Sequence, residues 1–129
     1  PENLGVGRPY IVDERLEDYF AWQCYRAMND KKAMSTAIER IISFQNETGQ
    51  QMSEGDFIHA LALKQMGELK EADRVMQKVT NSFSDKQMVD WMKTFFSGDK
   101  AHAQKLALDL KGDNRTVRLL MALFAQDSI

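Results

Sequence analysis

Two histidines, one cysteine and a scatter of carboxylates are the side chains from which chemistry could first be built. His59 and His102 are far apart in the chain, and neither stands in an H-E-x-x-H or comparable ligand spacing. His59 lies within the apolar run Phe57-Ile58-His59-Ala60-Leu61, which suits a structural role. Cys24 has no base placed to activate it and falls on the apolar side of a helical stretch, so a buried, inert thiol is expected. A single cysteine forms no internal disulfide, which leaves the redox compartment open. Glu68, Glu71 and Asp73 alternate with Lys70 and Arg74, the pattern of a solvated helix face. Gly5-Val6-Gly7 lacks both the preceding strand and the third glycine of a dinucleotide loop. The triplets Asn46-Glu47-Thr48 and Asn114-Arg115-Thr116 fit the glycosylation sequon, a pattern that chance produces often. No catalytic, cofactor or metal site follows, and the expectation is a protein that is not an enzyme.

Aromatic and sulfur side chains speak to binding. Tyr19, Phe20, Trp22 and Tyr25 occupy too many directions of one helix for all four to be buried in a two-layer stack. One or two of them should face a groove, a neighbouring domain or a partner. The eight methionines could line an adaptable groove, but at helical spacing they serve first as core filler.

These residues need elements to position them, and the patterning is helical throughout. The 129 residues are enough for one domain with a real core, and 43% apolar with 28% charged is ordinary globular usage. The net charge of −2, with both signs interspersed, argues against a nucleic-acid module and against a polybasic membrane patch. No apolar run approaches the roughly 20 residues of a membrane span. The start at Pro1, without a leader, reads as an excised segment.

After an irregular segment at 1–12, Asp13 can cap an amphipathic helix carrying Leu16, Tyr19, Phe20, Cys24, Ala27 and Met28. A second helix carries Ala33, Met34, Ala37, Ile38, Ile41 and Ile42. Ser53 with Asp56 starts a third, and Leu69, Ala72, Val75, Met76 and Val79 mark a fourth. Ser84 with Gln87 reads as a capping box for a fifth, Gly98-Asp99 leads into a sixth, and Asn114 caps a seventh. The short links imply antiparallel neighbours. An all-α fold of about seven helices is expected: stacked hairpins at 13–47, 53–81 and 84–111, with a capping helix at 114–127.

Internal repetition supports a stack. Gly67-Glu68-Leu69-Lys70-Glu71-Ala72 and Gly98-Asp99-Lys100-Ala101-His102-Ala103 share a glycine, an acid and a later alanine, and lie 31 residues apart. Asn29-Asp30-Lys31-Lys32-Ala33 is a one-residue-shorter version with asparagine for glycine. Glycine or asparagine supplies the left-handed residue that ends a helix. With Ala60, Leu63, Gly67, Ala72 and Met76 at the matching positions, the stretch from Ala60 to Asp73 and on to Met76 resembles a tetratricopeptide (TPR) repeat, whose period is roughly 34 residues. Departures are the displaced tryptophan, with Asp56 in its place, and Ser84 where the family has proline. The first hairpin matches through Trp22, Tyr25 and Ala33, and the third at its turn and second helix. A narrower resemblance covers 1–79. The opening Pro1-Glu2-Asn3-Leu4-Gly5-Val6-Gly7-Arg8 is similar to the segment preceding the TPR units of large bacterial proteins of unknown function. Those proteins also carry a sugar-mutarotase-like β-sandwich, so the resemblance implies a carbohydrate-related neighbouring domain.

In a TPR stack the first helix of each pair lines the concave side. That register nominates Tyr19, Gln23, Arg26, Phe57, Leu61 and Lys64 as partner-binding residues, with Glu54 and Gln65 beside them. The expected function is protein or peptide binding, or scaffolding against the adjoining domain of the parent chain. The alternative is an accessory domain of a carbohydrate-active enzyme, with Asn3, Arg8, Tyr19 and Trp22 closing over a saccharide.

Overall fold

A computed structural model describes residues 13–44, 52–110 and 114–127, with side chains as far as Leu123. Among these residues the secondary structure is wholly α-helical: α1 (Arg15–Ala27), α2 (Lys31–Ser43), α3 (Glu54–Gln65), α4 (Leu69–Ser82), α5 (Lys86–Ser97), α6 (Lys100–Asp109) and α7 (Arg115–Asp127). The irregular segment expected at 1–12 lies outside the described residues.

Helix starts follow from short polar side chains that satisfy the free N–H groups of a first turn. Asp30 accepts from the Ala33 N–H at 3.1 Å, Asp99 from His102 at 3.1 Å and Asn114 from Val117 at 3.0 Å. At α3 the Asp56 carboxylate reaches back to the Ser53 N–H at 2.7 Å. Two caps differ from expectation by one residue. Asp85, in place of Ser84, caps α5, accepting from Gln87 and Met88 at 3.0 and 3.3 Å. A carboxylate is the stronger acceptor at a helix N-terminus, which accounts for the shift. At α1 the N-cap position is Glu14, while Asp13 accepts from the Arg15 N–H at 3.1 Å.

Helix pairs form where a left-handed residue reverses the chain. Asn29 (φ 59°), Gly67 (φ 83°) and Gly98 (φ 90°) sit in the turns between α1 and α2, α3 and α4, and α5 and α6. Each turn is short, so each pair packs as a hairpin. The alanines five residues after the glycines, Ala72 and Ala103, are completely buried, which lets the second helix lie close on the first.

α3 is the centre of the molecule. Phe57, Ile58, Ala60, Leu61, Ala62 and Leu63 are all buried, an apolar surface around the whole helix rather than a stripe. α3 packs against α4, α1 and α2, and Phe57 meets Trp91 and Phe95 of α5 edge-on with ring centroids 5.8 and 6.0 Å apart.

α7 packs against α6, and it also returns to α1. Arg115 pairs with Glu17 at 3.0 Å, and Leu119 shares a cleft with Phe20 and Ala21. No helix among the described residues is long and apolar enough to cross a membrane.

Candidate functional site

A buried cluster of charge lies at the start of α1. Arg15 is 2% exposed although it occupies a first helical turn. Its guanidinium donates to both Asp13 oxygens at 2.9 Å and to Asp56 at 3.0 Å, and lies 4.3 Å from the centre of the Phe44 ring. Burial opposes charge on Asp13, but the hydrogen bonds and charge of Arg15 outweigh it and hold that carboxyl below its ordinary range. Gly55 makes the approach possible: a Cβ there would stand 2.1 Å from Asp13 Oδ2 and 2.6 Å from Arg15 Nη2. The cluster is internally satisfied. It fastens α1 to α3, and its chemistry is structural.

His59 is half-buried, and desolvation, with Arg15 adding to it, lowers its pKa. Among the described residues no group of histidine, cysteine and carboxylate side chains could hold a metal ion. Glu71 and Arg74 pair on an exposed face, as their alternation implied. Cys24 is exposed, contrary to the inert buried thiol expected of it. The reason is angular: Tyr19 and Trp22 take the buried face of α1, and Cys24 falls outside it.

The six residues nominated for partner binding divide evenly. Tyr19, Phe57 and Leu61 belong to the core and present almost no surface, which corrects their assignment as contact residues. Tyr19 stacks on Trp22 with centroids 5.5 Å apart, and Phe57 is fixed by the α5 aromatics. Gln23, Arg26 and Lys64 reach the surface at least in part. The Arg26 guanidinium lies 5.6 Å from the centre of the Trp22 ring. Lys64 donates to the Phe96 carbonyl and stands 4.9 Å from that ring's centre, so it ties α3 to α5. For a saccharide, Tyr19 is buried against Trp22 and offers no stacking face, and Asn3 and Arg8 lie outside the described residues.

A cleft that the sequence did not disclose opens where α2 meets the end of α3. It measures about 570 Å³, with Trp22, Met34, Ile38 and Met66 as apolar walls and Lys31 and Glu39 on its polar edge. Of these, Met66 is 52% exposed. Methionine adapts its shape to what it meets, so this surface suits an apolar side chain presented from outside. The available signal was the methionines at hairpin ends, which periodicity assigns to packing. No family model, curated protein or solved structure matches this chain.

Proposed function

We propose that this chain is a non-catalytic, TPR-like binding module, a part of a larger bacterial protein, that holds a protein segment or braces an adjoining domain. The observation that carries the reading is the cleft of Trp22, Met34, Ile38 and Met66, with Arg26 stacked on the Trp22 ring. An apolar pocket rimmed by both charge signs fits an anchor side chain on an extended or helical peptide. The left-handed turn residues and the buried alanines Ala72 and Ala103 support the TPR assignment. The charged groups that the fold gathers, Asp13, Arg15 and Asp56, satisfy one another, in keeping with a scaffold.

The test is selection of peptides from a displayed library on the full chain, followed by titration of the Met66→Glu and Arg26→Glu variants. Both side chains are exposed, so folding should persist. Each substitution should weaken binding by about 1–3 kcal/mol, the range of an anchor contact. Selected peptides that bind both folded variants as tightly as the parent chain would remove the cleft from consideration.

A further inference from the structure

The wall that α2 gives to the methionine cleft is an unbroken helical stripe. Lys31, Met34, Ser35, Ile38 and Glu39 recur at steps of three and four, so they form one line down two turns of the helix. Trp22 of α1, with Gln65 and Met66 at the end of α3, completes the lining. At the helical rise per residue, the stripe from Lys31 to Glu39 is about 12 Å long. Its two ends carry opposite charges, and the residues between them are uncharged. Both charged side chains are exposed, and neither has an ion-pair partner among the described residues.

The cleft's shape selects among backbones. Spread along that length, a volume of about 570 Å³ leaves a cross-section of about 50 Å². An α-helix is about 10 Å across, or roughly 80 Å² in section, and does not enter. An extended strand, about 4.8 Å by 10 Å with its side chains, fits. Its alternate side chains share a face, and its first and fifth residues are about 13 Å apart. Side chains at first, third and fifth positions therefore span the stripe from Lys31 to Glu39.

Resting on the reading of this cleft as the binding site, we propose that its occupant is an extended segment of a partner protein with an acidic, an apolar and a basic residue at alternate positions. The acid meets Lys31, the base meets Glu39, and the apolar side chain enters beside Met34, Ile38 and Met66. Charge complementarity sets this pattern. A segment with two acids would place one against Glu39, and a segment with two bases would place one against Lys31.

The experiment titrates the full chain with three fluorescent, end-capped pentapeptides: Glu-Ser-Leu-Ser-Lys, Glu-Ser-Leu-Ser-Glu and Lys-Ser-Leu-Ser-Lys. The mixed-charge peptide should bind about fivefold more tightly than either of the others, a gap that shrinks at high salt. Lys31→Glu should move the preference to the peptide with two lysines, and Glu39→Lys to the one with two glutamates. Both side chains are exposed, so these variants should fold, and the unmodified chain supplies a test without them. Equal binding of the three peptides to the unmodified chain, or no binding of any, overturns the proposal. So does tighter binding of a helical peptide with its two charges seven residues apart. In each of these cases, library peptides that lose affinity for the Met66→Glu variant would still keep the cleft as the binding site, so the two readings fail separately.

Discussion

Arg15 shows how a single charged residue can organise a helical protein from inside. Removing one member of a buried pair strands the other, so Arg15→Leu should cost about 3 kcal/mol, read as a lower urea midpoint. Gly55→Ala should also destabilise. The gain in helix propensity, about 1 kcal/mol, is smaller than the penalty for a Cβ placed 2.1 Å from a carboxylate oxygen. Acid should weaken the same fastening. The Asp13 pKa is lower in the folded state, so its contribution is full above the ordinary carboxylate range and is lost as pH falls through the folded value. His59 has the same sign at higher pH, since its depressed pKa penalises protonation as pH drops below neutrality. A urea-midpoint series against pH should therefore fall in two stages, and His59→Gln should remove the upper one. None of this was legible in the sequence. An arginine in a first turn reads as solvated, and its partner Asp56 is 41 residues away.

At the scale of the elements, the sequence was far more informative. Asn29, Gly67 and Gly98 mark the hairpin turns, and the structure puts all three at positive φ. Nothing lies within 4 Å of a Cβ built on Gly67, so Gly67→Ala meets only the backbone penalty of a left-handed L-residue, about 1–2 kcal/mol. Gly67→Val should cost more because of its branched Cβ. Asn29→Gly should be neutral or slightly stabilising, and Lys70→Ala nearly silent on its exposed face. Ala72→Glu forces a carboxylate into a site with no exposure, and thermal melting should rank it below all of these. Helix periodicity and turn residues are local signals, which is why the elements could be read. The same periodicity could not say which of the α1 aromatics faced inward, because it does not report the direction from which neighbours approach.

For the whole molecule, the decisive feature is the contact of α7 with α1. Amphipathic spacing announced the helix and Asn114 its start, but the partner surface is set by residues nearly the whole chain away. Leu120 is completely buried, so Leu120→Ala should lose about 2–5 kcal/mol and raise the binding of a hydrophobic dye. Truncation before Asn114 should raise dye binding in the same way, by baring Leu16, Phe20 and Ile58.

Closure by α7 also has a kinetic meaning. The three hairpins assemble from segments close in sequence, whereas joining Arg115 to Glu17 closes a loop of 98 residues. Loop entropy places that step late, after local contacts have formed. Leu120→Ala should then accelerate unfolding and leave the folding rate nearly unchanged, while Val75→Ala, within the central hairpin, should slow folding. On a ribosome the hairpins emerge in order, and α7 follows them. During that interval the nascent chain leaves Leu16, Phe20 and Ala21 without the cover that α7 later gives them.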